Sequence, residues 1–395
     1  SPKAGAHTKA SAERQRCLAC MMENSLGITA VLFIIAGTHF FLVPDQFRIA
    51  GMAEQSQTPP GSIDRRLSVA PMMDWTDRHC RYFHRLLSAD ALLYTEMVTT
   101  GALIHGDREK HLVYNEEEHP LALQLGGSEP GDLAACARMA ESAGYDEVNL
   151  NVGCPSDRVQ KGKFGACLML EPGLVRDCVA AMRDAVDIPV TVKTRLGVDD
   201  HDSYGYFEAF VDRVAESGCR VFIVHARKAW LTGLSPKQNR DVPELRYGWA
   251  ERLKQSRPDL SVSLNGGIVD VTAAMEHLQK FDGVMLGRAA YQNPWILAEL
   301  QGRIFEKAGP RSRAGVVHEM TRYLERQVAL GVPVQHVSRH MLGLFQGLPG
   351  ARRWRRYISE NAHVDGANTR LLEEALAHMA PAGSGSAQVH DDDLE

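Results

Sequence analysis

The 395-residue chain is predicted to be an α/β protein, a (β/α)8 TIM barrel followed by a small C-terminal helical domain. Three observations predict it. Short β-branched apolar runs alternate with amphipathic segments, which calls for parallel strands. Eight such units occupy roughly 220 residues from Leu67 onward, the size of one barrel. Polar residues stand where nearly every run ends, and in a barrel those ends converge on one face.

The eight runs are LSVAPM (67–72), LLYTEM (92–97), LALQLGG (121–127), EVNLNVGC (147–154), PVTVKTR (189–195), RVFIVHAR (220–227), SVSLNGG (261–267) and GVMLGR (283–288). Amphipathic stretches such as PGDLAACARMAESAG and YFEAFVDRVAESG lie between them, with a glycine closing each helix. The competing architecture is an open doubly wound sheet. The first strand–helix turn, APMMDWTDRHCR, lacks the GxGxxG that such a sheet would use for a dinucleotide. Residues 63–302 are assigned to the barrel. After about residue 300 the strand pattern stops, and RAGVVHEMTRYLERQVALG, VSRHMLGLFQGLPGARRWRRYIS and TRLLEEALAHMA give a helical domain over 303–380. The polar tail 381–395 is expected to be disordered.

Residues 1–62 stand apart. No acidic or basic residue interrupts the stretch between Glu23 and Asp45, a length that suits a bilayer span or a signal sequence. The polar GMAEQSQTPPGSIDRR that follows reads as a linker, and a start of translation near Met52 is the favoured alternative. The segment is set outside the fold.

Net charge is −5, so a polyanionic partner must meet a local basic patch. Eight cysteines are scattered without a disulfide framework, which fits a reduced, cytoplasmic setting. Cys17 and Cys20 form a CxxC with no second pair or histidine pair, so no metal site is expected.

The strand-end residues are Met72, Glu96, Gln124, Asn151, Cys154, Lys193, His225, Asn265 and Arg288. NGGI and LGRAA close strands seven and eight, where barrels assemble phosphate sites from glycine backbone N–H groups; Arg288 adds charge. Lys193 and His225 are cations suited to a reduced flavin or a planar substrate. Cys154, on the rim between a glycine and a proline, suits an acid or a nucleophile. ARRWRRY (351–357) interleaves four arginines with two aromatics, and SPKQNR adds Lys237 and Arg240. Such patches suit phosphate backbones, and aromatic and guanidinium planes can stack on bases; the alternative for ARRWRRY is a solvated helix face packed through Trp354 and Tyr357.

APMMDWTDRHCRYFHRLLS, LYTEMVTTGALIHG, NLNVGCPSDRVQKGKFGACLM, VKTRLG, VHARKAWLTGLSPKQNR and LNGGI…GVMLGRAAYQNPW together resemble the tRNA-dihydrouridine synthases. The loop after strand six and GLPGARRWRRYIS resemble the A subfamily. The resemblance covers about Leu67 to Met379 and leaves out residues 1–60. It implies an FMN enzyme, reduced by NADPH, that converts D-loop uridines 20 and 20a of tRNA to 5,6-dihydrouridine. Hydride would go to C6, and Cys154 would protonate C5. FMN would be held by Pro71, Met72, Gln124, Lys193, His225, Asn265, Gly266, Gly267, Gly287 and Arg288. Asn151 would lie beside the target base, and Lys237, Arg240, Arg352, Arg353, Arg355 and Arg356 would engage tRNA. Arg195 lies nearby without a role implied by the match. A monomer with no DNA or membrane partner is expected. The competing functions are a small-molecule flavin oxidoreductase of the dihydroorotate type and a non-catalytic RNA-binding protein on the same barrel.

Overall fold

The computed structural model describes residues 19–23, 29–35, 38–42, 63–364 and 366–379. Contacts divide the chain into two compact units, residues 1–59 and 60–395. In the first, Ala19–Glu23, Thr29–Ile35 and Thr38–Leu42 pair antiparallel as a three-stranded sheet. The described parts of the apolar run, Thr29–Ile35 and Thr38–Leu42, are short strands, and among the described residues no helix is long and apolar enough to cross a membrane. The expected disordered tail lies outside the described residues.

The second unit is a closed, all-parallel, eight-stranded barrel with each strand paired to the next in sequence. The strands are β1 (Leu67–Val69), β2 (Leu92–Thr99), β3 (Leu121–Gly126), β4 (Glu147–Val152), β5 (Val190–Arg195), β6 (Val221–His225), β7 (Ser261–Asn265) and β8 (Gly283–Leu286). Closure comes from Val284 facing Leu67 across β8 and β1. Every predicted run supplies one strand, and the doubly wound alternative is excluded. The outer helices are α1 (Arg78–Leu87), α2 (Thr100–His105), α3 (Pro130–Ser142), α4 (Pro172–Arg183), α5 (Tyr204–Ala215), α6 (Tyr247–Ser256), α7 (Val271–Leu278) and α8 (Trp295–Phe305). Gly144 and Gly218, at φ of 90° and 85°, end α3 and α5 in the left-handed conformation that glycine adopts freely.

The period of two along each strand sorts its side chains. On β4, Val148, Leu150 and Val152 join the large core under the helices, while Glu147, Asn149 and Asn151 point into the barrel and hydrogen-bond to neighbours there. The interior holds only a small apolar cluster that includes Leu92, Tyr94, Ile223 and Met285. At its floor the buried Glu147 carboxylate pairs with Arg65 at 2.5 Å and accepts from Tyr94 Oη at 2.7 Å and Thr191 Oγ1 at 2.6 Å. Removing one partner of a buried pair strands the other charge, at about 3–5 kcal/mol. Urea denaturation of the Glu147→Ala variant is expected to show a loss of that size, with Arg65→Leu/Glu147→Leu losing less than Glu147→Ala.

Helix α8 runs to Phe305 and ends at Glu306, which has a left-handed φ of 56°. The expected boundary at 302/303 thus falls inside α8, whose apolar face continues as Ile304 and Phe305. The helical region contains α9 (Arg313–Ala329), α10 (Ala351–Asn361) and α11 (Leu371–Ala377). It docks on the barrel through α1. Asp77 caps that helix by accepting from the N–H groups of His79 and Cys80, and also pairs with Arg339 at 2.6 Å and His340 at 3.0 Å. The hydrogen bonds from His340, Arg339 and the Cys80 N–H hold its carboxyl below the usual carboxylate range despite burial. Tyr82 stacks on Tyr323 across the same junction.

Candidate active site

Cys154 follows the last residues of β4, half-buried at the barrel mouth. Its loop is shaped by Asn151, whose Oδ1 accepts from the N–H groups of Gly153 (3.1 Å) and Cys154 (2.9 Å). The chain returns beneath it, with the Ala166 N–H donating to the Cys154 carbonyl at 2.9 Å. Gly165, at φ 76°, makes this close return possible: a Cβ there would lie 2.5 Å from that carbonyl oxygen. The thiol sits 3.6 Å from Ser156 Oγ.

The other predicted residues gather around the same mouth. Asn151 Nδ2 donates to Gln124 Oε1 at 2.8 Å. Lys193 Nζ donates to Asn265 Oδ1 at 3.2 Å, and Asn265 Nδ2 holds the Met285 carbonyl. Pro71 and Met72 follow β1 in a tight turn, where the Met72 N–H donates to Thr76 Oγ1. Gly266 and Gly267 both have positive φ, 107° and 71°. A Cβ on Gly266 would meet the His225 ring at 2.6 Å, and one on Gly267 would meet Tyr247 Oη at 2.4 Å. Tyr247 in turn donates to the Gly266 carbonyl at 2.9 Å.

Electrostatics set the protonation of this site. Burial, with Arg195 nearby, pushes the Lys193 amine down to about 7, and the proximity of Cys154 opposes that shift. The buried His225 falls well below its ordinary value, first by desolvation and then by Arg195 and Lys193. His225 is therefore a neutral ring at pH 7, and the expectation that it is a second cation is corrected. A histidine read from its position in a run carries no information about three-dimensional cation neighbours.

Several functional groups were not singled out from the sequence. Arg227, together with the sequence-predicted Arg240, is held below the ordinary arginine value first by burial and also by the charge of Arg288. Asp241 faces them and pairs with Arg288 at 2.6 Å. Arg227 Nε is buried without a hydrogen-bond acceptor. An arginine cluster beside two glycine turns, with an unused donor, is the donor set a phosphate monoester requires; the residues present fit the phosphate end of a flavin mononucleotide. Arg195 is buried and donates to the carbonyls of Gly153, Lys228 and Asn239. It ties the cysteine loop to the loop that carries Lys237 and Arg240. Gln160 makes a second tie, donating to the carbonyls of Pro155 and Leu231. The fully buried Asn239 folds the basic loop on itself through Trp230 and Leu234. Its only sequence signal was its place within SPKQNR.

The arginines of α10 have different partners. Arg353 donates to the Met379 carbonyl, and Arg356 pairs with Glu360 one turn on. Arg352 is exposed. Arg355 alone joins Arg288, lining a cavity of about 700 Å³ with Tyr291, Gln346 and Leu342. Trp354 is fully buried, its Nε1 donating to the Met341 carbonyl, and Tyr357 Oη donates to Glu374. The aromatics of ARRWRRY thus anchor the helix, and the expectation that they stack on bases is corrected: every third or fourth position of an amphipathic helix faces its core. Lys237 is exposed at the start of the 238–240 turn.

A family model described as dihydrouridine synthase matches residues 68–380. The chain is 62% identical over 316 residues to the tRNA-dihydrouridine(20/20a) synthase of Vibrio cholerae, covering 80% of this chain and 96% of that protein. It is 60% identical over 317 residues to the protein of that name in Escherichia coli K12 (80% and 92% covered). The protein of that name in Shewanella oneidensis is 59% identical over 315 residues (80% and 94% covered).

Proposed function

The chain belongs to the dihydrouridine synthase family, and from that premise we propose that it reduces uridines 20 and 20a of the tRNA D-loop to 5,6-dihydrouridine, using FMN and NADPH. The observation that carries the reading is the placement of Cys154. Its backbone N–H is held by Asn151 at the same mouth as the Lys193–Asn265 pair and the arginine-rich glycine turns.

FMN would be held by Pro71, Met72, Gln124, Lys193, His225, Asn265, Gly266, Gly267, Gly287 and Arg288, with Arg227 added at the phosphate end. When bound, the flavin supplies the hydride for C6, its electrons coming from NADPH. A uracil inside a stacked loop cannot reach the barrel mouth, so the target nucleotide must be turned out of its stack. Asn151 lies beside the base, and the part-protonated Lys193 polarises a pyrimidine carbonyl. Cys154 then gives up its proton: the S–H bond breaks and a C–H bond forms at C5. The thiolate left behind takes its proton back from solvent. Lys237, Arg240, Arg352, Arg353, Arg355 and Arg356 contact phosphates, with Arg288 and Arg355 converging on one cavity.

The test is a visible spectrum of the purified full-length chain, followed anaerobically by NADPH and then unmodified tRNA. Flavin absorbance bleached by NADPH and restored by tRNA is the expected result. A reduced flavin that ignores tRNA but is reoxidised by a free pyrimidine would replace the reading with a small-molecule oxidoreductase.

A further inference from the structure

We infer that a hydrogen-bond chain through the barrel interior fixes the orientation of the Cys154 loop, with Thr191, on the strand next to the one that leads into the cysteine, as a positioning residue. The inference rests on the reading of Cys154 as proton donor.

The chain has a direction. Glu147, paired with Arg65, offers only acceptors. Thr191 Oγ1 therefore donates to Glu147 at 2.6 Å and keeps its lone pairs for Asn149 Nδ2 at 2.9 Å. Asn149 must then present Oδ1 to Gln124 Nε2 at 2.8 Å. Gln124 presents Oε1 to Asn151 Nδ2 at 2.8 Å. Asn151 is left with Oδ1 facing the Gly153 and Cys154 N–H groups, the one orientation that accepts both.

With the chain reversed, Thr191 would donate to Asn149, each amide would turn over, and Asn151 would aim its NH2 at two backbone donors. The carboxylate at the floor forbids that state. Glu147, Asn149, Gln124 and Thr191 are all buried to within 1% of full exclusion, so the chain is shielded from bulk solvent and the direction set at one end persists to the other.

The experiment compares Thr191→Val, which keeps the shape and removes the hydroxyl, with Thr191→Ser, which restores it. Two quantities are read below both melting temperatures and at saturating FMN. One is alkylation of Cys154 by iodoacetamide, followed by peptide mass spectrometry, which needs neither tRNA nor flavin turnover. The other is the single-turnover rate of flavin reoxidation by tRNA. A misplaced reacting group costs up to about 100-fold, and Thr191→Val is expected to lower the single-turnover rate by about tenfold. It should change Cys154 alkylation several-fold while leaving tRNA affinity unaltered, and Thr191→Ser should return both readouts to wild type. Wild-type alkylation and rate in Thr191→Val, or a Thr191→Ser variant as impaired as Thr191→Val, would overturn the inference. If wild-type reduced flavin ignores tRNA while alkylation still responds to Thr191→Val and recovers in Thr191→Ser, the functional reading fails and the positioning chain stands.

Discussion

Cys154→Ala is expected to bind FMN and tRNA as the wild type does, to be reduced by NADPH at the wild-type rate, and to lose dihydrouridine formation by about 10²–10⁴-fold, the usual contribution of a positioned proton donor. Alanine keeps the Cβ and forfeits only the sulfur's contacts: the thiol is half-buried at the edge of the core, and among the described residues its hydrogen bond goes to Ser156. The loop that carries it is held by backbone groups, through Asn151, Arg195 and Ala166, so its shape survives the substitution. Single-turnover reoxidation of NADPH-reduced enzyme by tRNA isolates the step. A rate within about threefold of wild type would remove the cysteine from the proton transfer, since one tenfold step is about 1.4 kcal/mol of barrier.

Gly267→Ala is the second large effect, and it acts on the cofactor. At φ 71° an alanine costs about 1–2 kcal/mol in backbone strain. Its Cβ would also lie 2.4 Å from Tyr247 Oη and 2.5 Å from Leu245 Cδ1. Tyr247 would have to move, and its bond to the Gly266 carbonyl with it. The free protein relieves this by reshaping the turn, and FMN must pay to restore it. At about 1.4 kcal/mol per tenfold, FMN affinity is expected to fall about 100-fold, measured by fluorescence titration of the apoprotein. Circular dichroism should be unchanged, because the turn lies on the rim and not in the barrel wall. Unchanged FMN affinity would mean that the phosphate is held elsewhere.

The strands were legible because each is a short β-branched run bounded by turn residues, and the eightfold count left one closed architecture. Cys154, Lys193, Asn265 and the NGGI turn were legible for a related reason: strand-end position is a linear property, and parallel closure turns it into proximity. The separate partners of the α10 arginines were not legible, because a run of charge does not say which members meet Glu360, Met379 or the cavity. Arg227 and Arg195 carried no separable signal, since an arginine beside a strand end looks alike whether it binds phosphate or braces carbonyls.

By itself, then, the sequence determined the barrel, the strand ends that form its mouth, the family resemblance and the residue types gathered there. These follow from local periodicity and turn chemistry, which act within a few residues. The tertiary structure alone decided that His225 is neutral, that Trp354 is core, that Arg195 and Gln160 couple two loops, and that Glu147 orients a chain ending at Cys154. Desolvation and hydrogen-bond direction depend on groups tens of residues apart in sequence, and only the closed barrel brings them within reach of one another.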